Sequence, residues 1–153
     1  MIDFPGFTLF VKEDSDSAAA VRECLGAELS HTEDGAPLAE GFTLSLSDTA
    51  NLTFLAVSKR GGKIGVDAEL LSRTPPPGFS SVFEWTDLEA YCKASGENLF
   101  ALAKNPPDLS KIPDIEITRI TTHGCAVSVA ASRERGTLHR GEPPHPDYAP
   151  KRV

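Results

Sequence analysis

GVDAE at residues 65–69 and WTDLEAYCK at residues 85–93 are the two stretches that decide the fold of this chain. The first predicts a strand over Ile64–Leu70, and side chains two residues apart on a strand point to the same face. Asp67 and Glu69 therefore share one face. Acidic residues are poor strand formers, so this pair indicates either a solvated face, the commoner reason for a bare Asp-x-Glu, or a cation site.

The second stretch predicts a helix over Trp85–Ser95, with Leu88 on its core-facing stripe. Thr86 and Glu89 have the spacing of a capping box. Glu89 and Lys93 are four residues apart, so they are neighbours on one helix face. Local spacing favours a helix cap and an ordinary surface ion pair. The functional alternative makes Glu89 a third metal ligand or a general base, and Lys93 a phosphate contact.

The remaining elements predict an α+β domain, mainly an antiparallel sheet with two principal helices. Residues 30–41 are expected to form a loop, and the turn Lys59–Gly62 is of the kind that joins antiparallel strands. The compact domain is expected to end at residue 131, followed by a disordered tail over residues 132–153. We find no internal repeat in the sequence. The other predicted strands are Phe7–Val11, Phe42–Leu46, Leu52–Val57, Ile115–Ile120 and Cys125–Ala131, and the other predicted helix is Ala18–Leu25.

The composition is that of a globular protein that does not bind nucleic acid. The 153 residues carry a net charge of −7, which disfavours nonspecific binding to nucleic acid. No apolar run approaches the ~20 residues that a membrane span needs, and the first residues have no signal-peptide pattern. The three cysteines are odd in number and far apart, so a reducing cytoplasm is expected. The four histidines show no ligand spacing and are expected at the surface.

Taken together, the two stretches resemble the 4′-phosphopantetheinyl transferases of the larger, surfactin-synthetase-activating type. That family has a Gly-Ile/Val-Asp-x-Glu strand followed by a Trp-x-x-Lys-Glu-Ala-x-x-Lys helix. Upstream, residues 35–37 (GAP) are similar to the family's Gly-Lys-Pro, and residues 42–47 (FTLSLS) are similar to its Phe-x-x-Ser-His-Ser. The strand Cys125–Ala131 resembles the family's alanine-rich closing strand. The likeness runs from about residue 18 to residue 131 in a shortened chain.

The resemblance implies a Mg²⁺-dependent enzyme that transfers phosphopantetheine from coenzyme A to a serine of an acyl or peptidyl carrier protein. Such carriers serve fatty acid, polyketide or nonribosomal peptide biosynthesis. Asp67 and Glu69 would ligate the metal, and Glu89 would be the third ligand or the base for the carrier serine. Lys93 would contact phosphate and assist the leaving group. The larger type is a pseudo-dimer within one chain, so a monomer is expected, with a homodimer as the alternative.

Three basic positions of the family are apolar in this chain. Ala36, Leu46 and Leu88 stand where the family has a lysine, a histidine and a lysine that are associated with coenzyme A binding. Lys63 and Arg73, with Lys59 and Arg60, flank the Asp-x-Glu strand and are the available substitutes as cofactor contacts. The losses motivate a second hypothesis, a non-catalytic relative that binds a carrier protein or partner enzyme without using coenzyme A. A third is an unrelated α+β domain in which Glu89 only caps a helix.

Overall fold

The fold was obtained as a computed structural model, which describes residues 1–133. It contains antiparallel strands and two main helices, as the sequence predicts for an α+β domain. Residues 134–153 of the predicted tail lie outside the described residues. The strands are β1 (Ile2–Asp3), β2 (Phe7–Glu13), β3 (Ser30–His31), β4 (Pro37–Leu38), β5 (Leu44–Thr49), β6 (Leu52–Ser58), β7 (Ile64–Leu70), β8 (Ile115–Thr122) and β9 (Cys125–Ser132). The helices are α1 (Ser17–Leu25), α2 (Val82–Ser95) and α3 (Leu99–Lys104), with a 3₁₀ turn at Leu109–Lys111.

The described strands form two main sheets and one small pair. The first sheet has the strand order β1-β2-β6-β5 and the second has the order β7-β9-β8, with antiparallel pairing throughout. The small pair is β3 with β4. Because β5 and β7 are both edge strands, each offers backbone groups that need partners from outside its own sheet.

The two sheets have the same topology, which amounts to an internal structural repeat. In each half a strand is followed by a helix and then by a hairpin, and the first strand pairs with the last: β2 with β6, and β7 with β9. Both hairpins close on a two-residue turn that starts with a positive-φ residue, Ala50 or His123. The sequence shows no repeat, so this repeat is visible only in the structure.

The main core lies between the sheets. Alternate residues of β2 and β6 face alternate residues of β7 and β9, and apolar side chains such as Leu9, Phe54, Val66 and Val127 fill the space. Helix α1 covers the outer face of the first sheet, where Val21 packs. Helix α2 covers the outer face of the second sheet. The outer face of β7, which carries Asp67 and Glu69, is therefore turned towards α2.

Several local predictions were wrong. Helix α2 begins at Val82 rather than Trp85. The turn Lys59–Gly62 does not close a hairpin, because β6 belongs to the first sheet and β7 to the second. The strand expected from Phe42 is β5, which begins at Leu44, and the expected loop over residues 30–41 includes β3 and β4.

Two elements extend beyond the predicted ones. Strand β9 includes Ser132, one residue past the expected boundary, and Arg133 N donates to Asp114 O at 2.9 Å. Helix α3 adds a short third helix to the two principal ones. Within residues 1–133, no helix is long and apolar enough to cross a membrane.

Candidate metal centre

The two halves meet where the edges of β5 and β7 lie side by side, which we call the β5–β7 seam. Val66 N donates to Ser45 Oγ at 3.0 Å, and Ala68 N donates to Ser47 Oγ at 3.1 Å. Both serines are buried. Their hydroxyl groups satisfy backbone donors that β7 turns away from its own sheet. The seam thus joins two sheets through side chains and fixes the position of β7.

Helix α2 lies unusually close to β7 because residue 65 is glycine. A Cβ atom at Gly65 would stand 2.1 Å from Ala90 O and 2.7 Å from Ala94 N, distances that no real Cβ tolerates. Gly65 is on the same face of the strand as Asp67 and Glu69. The missing side chain therefore brings the helix within reach of both carboxylates.

Glu89 is not a helix-capping residue. The N-cap of α2 is Ser81, whose side chain accepts from Glu84 N at 3.2 Å, while Glu84 Oε1 accepts from Ser80 N at 2.8 Å. Glu89 lies in the second turn, and Thr86 is fully buried with its hydroxyl 2.7 Å from Ser128 Oγ. The capping box predicted at Thr86 is therefore wrong, and Glu89 does not cap the helix.

Asp67, Glu69 and Glu89 form one group, which we call the acidic cluster. One carboxylate oxygen from each residue lies within 4.8 Å of the other two. Asp67 is 4% exposed, and the other two are half-buried. Among the described residues this is the one set of three acidic, histidine or cysteine side chains that meets this geometry.

Asp67 is the most unusual member of the acidic cluster. Its Oδ2 atom is buried and has no hydrogen-bond partner among the described residues, while Oδ1 accepts a long 3.4 Å bond from Ser47 Oγ. Burial, and then the negative charge of Glu89, raises the pKa of Asp67 to about 8. Burial also raises the pKa of Glu89. An unpaired buried carboxylate oxygen is costly, so the site favours either a shared proton or a bound cation.

Two basic side chains accompany the acidic cluster. Lys93 Nζ donates to Leu46 O at 3.0 Å and to Val66 O at 2.9 Å, and lies 3.9 Å from Asp67 Oδ1. Lys93 therefore bridges the β5–β7 seam. Arg73 Nη1 lies 2.7 Å from Glu69 Oε1.

The third predicted cofactor contact lies apart from the acidic cluster. Lys63 is exposed and precedes β7 by one residue. It is four residues from Asp67, which is roughly 13 Å along a strand. Of the other basic residues considered, Lys59 is paired with Asp3 at 2.6 Å, and Arg60 Nη1 donates to Ser132 O at 3.4 Å.

Sequence reasoning missed the residues that support the acidic cluster. Ser45 and Ser47 alternate on β5, and this alternation is the signal that both face one neighbour. A second network ties α2 to the second sheet: Ser128 Oγ donates to Asp87 Oδ1 at 2.6 Å, and Arg119 Nη2 donates to Asp87 Oδ2 at 2.7 Å. No spacing in the sequence links Asp87, Arg119 and Ser128.

The histidines are not part of the acidic cluster. His31 and His123 are exposed, as expected. His139 and His145 lie outside the described residues. A separate groove of about 410 Å³ lies at the start of α1, and none of the residues that line it belongs to the acidic cluster.

The donor set of the acidic cluster fits a hard divalent cation. Mg²⁺ takes oxygen ligands and is commonly held by one or two carboxylates, with water and phosphate oxygens completing its shell. Asp67 Oδ2, buried without a partner, is the atom that a cation would satisfy best. No known protein-family model matches this chain, and no curated protein matches its sequence.

Proposed function

We propose that this protein is a compact, divergent 4′-phosphopantetheinyl transferase, which uses Mg²⁺ and coenzyme A to modify a serine of an acyl or peptidyl carrier protein. The observation that carries the proposal is the acidic cluster. Its three members were singled out from two motifs about twenty residues apart, and the fold brings their carboxylates within 4.8 Å of one another.

The architecture supports the same proposal. The resemblance implies two similar halves within one chain, and the strand–helix–hairpin unit occurs twice here. The acidic cluster belongs to the second half and borders the β5–β7 seam, since Ser47 of β5 contacts Asp67 of β7. A site at the junction of two halves has walls from both, which suits an elongated substrate such as coenzyme A.

The residues divide the chemistry between them. Asp67 and Glu69, with Glu89, would hold Mg²⁺, which would neutralise the charge that develops on the diphosphate as its P–O bond breaks. The serine oxygen would form the new P–O bond to the phosphopantetheine group, and the nucleoside bisphosphate would leave. Glu89 would accept the serine proton.

The test is the intact mass of a panel of apo carrier proteins after incubation with the protein, coenzyme A and Mg²⁺. We expect a gain of one phosphopantetheine that a chelator abolishes. Glu69→Ala should remove the gain, whereas the matched control Glu116→Ala, at an exposed glutamate on β8, should keep it. No gain on any carrier, beside a known transferase that modifies all of them, would refute the proposal.

A second candidate, a non-catalytic relative that binds a carrier protein, is favoured by one observation. Leu88, at a family position associated with coenzyme A binding, is 1% exposed and packs in the core under α2, so it does not reach a ligand. Carrier binding by calorimetry, without any affinity for coenzyme A, would support this candidate. Measurable coenzyme A binding in the presence of Mg²⁺ would argue against it.

A further inference from the structure

The two cations at the acidic cluster have different surroundings, and Lys93 has most of its donors already bonded within the protein. Its ammonium group has three N–H donors. Two of them go to Leu46 O and Val66 O, and the third side of the group faces Asp67 Oδ1 at 3.9 Å. Two of the three donors of Lys93 therefore bind the carbonyls that hold the β5–β7 seam together, which leaves one donor for a ligand.

Arg73 is the more available cation. Its side chain is 43% exposed, and Nη1 lies 2.7 Å from Glu69 Oε1 at the rim of the acidic cluster. A guanidinium group has five N–H donors in a planar fork. Within residues 1–133 this ion pair is the close contact that the guanidinium makes, so most of its donors face solvent beside the carboxylates.

The loop that carries Arg73 is anchored on both sides. Arg73 N donates to Leu70 O at 3.0 Å, which closes a turn directly after β7. Further along the same loop, Phe79 packs edge-to-face against Trp85 of α2, with ring centroids 5.1 Å apart. A cation held in place by such contacts loses less entropy when it binds a ligand.

The charge balance of the acidic cluster favours an anion once a metal is present. Its three carboxylates face Lys93 and Arg73, which leaves a net charge of −1 with all groups ionised. A divalent cation changes this to +1. Lys63 is roughly 13 Å away along the strand. Lys93 is 38% exposed but gives two donors to the β5–β7 seam, so Arg73 is the cation at the cluster with more donors left for an anion.

We propose that Arg73, rather than Lys93, binds the phosphate or diphosphate group of the ligand at the metal-loaded acidic cluster, through paired N–H···O bonds. That the ligand is coenzyme A rests on the proposed function above. The recognition of a phosphate group beside a divalent cation does not depend on the proposed function.

The test is calorimetric titration of the full chain at saturating Mg²⁺ with two probes, coenzyme A and the magnesium complex of inorganic pyrophosphate. Charge-assisted hydrogen bonds contribute ~1.5–3 kcal/mol, so Arg73→Gln should weaken both affinities by about tenfold or more. The matched control Arg22→Gln removes an exposed cation on α1, which packs on the first sheet, and should change either affinity by less than about twofold, since screened surface charges contribute little.

A second measurement separates anion binding from a structural role. Mn²⁺ titrated into metal-free protein should bind Arg73→Gln at least as tightly as wild type, because the variant lacks a cation that competes for Glu69. Weaker anion binding with equal or tighter metal binding is the expected signature. A merely structural role would weaken both, and that result would overturn the inference.

The remaining outcomes separate this inference from the proposed function. If wild type binds pyrophosphate through Arg73 but does not bind coenzyme A, the proposed function fails and the inference stands. If it binds coenzyme A and Arg73→Gln has no effect, the inference is overturned and the proposed function stands. If wild type binds neither probe, both are overturned.

Discussion

Asp67 makes the stability of the metal-free protein depend on pH. Burial first, and then the charge of Glu89, raises its pKa from 3.8 to about 8 in the folded state, against the opposing effect of Lys93. The folded protein therefore holds this proton over a range in which the unfolded chain has lost it. The resulting stability is present below pH 4 and is lost as pH rises from about 4 to about 8.

We predict that Asp67→Asn removes this dependence, because an amide does not titrate. The difference in free energy of unfolding between variant and wild type, measured by denaturant titration in chelator, should shift in favour of the variant as pH rises from about 5 to about 9. The difference between the two proteins cancels the pH dependence that comes from other carboxylates whose pKa values are lowered, because these carboxylates are the same in both. Parallel stability curves for the two proteins would contradict the assignment of the raised pKa to Asp67.

At the scale of elements, the contact between α2 and β7 depends on Gly65. Gly65→Ala should lower the free energy of unfolding by about 3 kcal/mol, the upper end of the usual cost of overpacking. The atoms that the new Cβ would meet at 2.1 and 2.7 Å belong to the backbone of α2 and cannot turn aside. The measurement is chemical denaturation followed by the fluorescence of Trp85.

Gly41→Ala is the matched control for this substitution. Gly41 has a φ of 87° but no atom within 4 Å of a built Cβ. The control therefore carries only the backbone strain of a positive φ, about 1–3 kcal/mol. A loss in Gly65→Ala well below about 1 kcal/mol, the lower end of the cost of overpacking, would mean that the helix can move away from the strand, and that Gly65 does not set the position of Glu89.

The β5–β7 seam gives a separate prediction. Ser45→Ala removes the acceptor of Val66 N and leaves a buried amide unpaired, which costs about 1–3 kcal/mol. Hydrogen exchange at Val66 should accelerate more than exchange at Val129, which faces Val66 from within the second sheet. If exchange accelerates equally at both amides, the whole second sheet has loosened, and the effect of Ser45 is not confined to Val66.

Element types were predictable wherever the signal is local. The alternation over Ile64–Leu70 predicts the observed bounds of β7, and the strands predicted at Ile115–Ile120 and Cys125–Ala131 are present as β8 and β9. Helix α2 began earlier than predicted because Ser81 and Glu84 supply its cap, three residues before apolar periodicity becomes clear. Sequence propensity could not show that the cap is Ser81 rather than Thr86. Thr86 is buried against the second sheet, and that burial depends on tertiary packing.

The members of the acidic cluster could be predicted from the sequence, but the contacts that hold them in place could not. Asp67 and Glu69 share a strand face by simple geometry. That Glu89 joins them follows only when α2 is known to pack on β7. The contacts of Lys93 with two backbone carbonyls could not be inferred, because they require β5 and β7 to be edges of different sheets.

At the scale of the whole molecule, the two halves have unequal roles. Positions on β2 that correspond to Asp67 and Glu69 hold Phe10 and Lys12, if the strands are aligned by their pairing with β6 and β9. Lys12 is paired with Glu23 at 3.0 Å on the surface. The first half therefore has no counterpart of the acidic residues of β7, and residues 1–133 offer one such cluster at the junction rather than two related by the repeat.

The last prediction concerns the stability of the whole chain when metal binds. A cation that binds the folded protein and not the unfolded chain stabilises it by about 2.7 kcal/mol at one hundred times its dissociation constant. For a domain of this size that is roughly 5–10 °C in Tm. We expect this rise on addition of Mg²⁺ or Mn²⁺, and its loss in chelator. Because the metal competes with a proton at Asp67, the rise should be larger at pH 8 than at pH 6.

Glu69→Gln keeps the shape of the side chain while removing a ligand charge, so it should abolish most of the rise. Glu116→Gln, an exposed glutamate on the same sheet, should leave the rise intact. An equal rise in both variants would place the metal elsewhere on this acidic protein. No rise in wild type would mean that Lys93 and Arg73 already balance the acidic cluster, and that its carboxylates stabilise the junction of the halves without a metal.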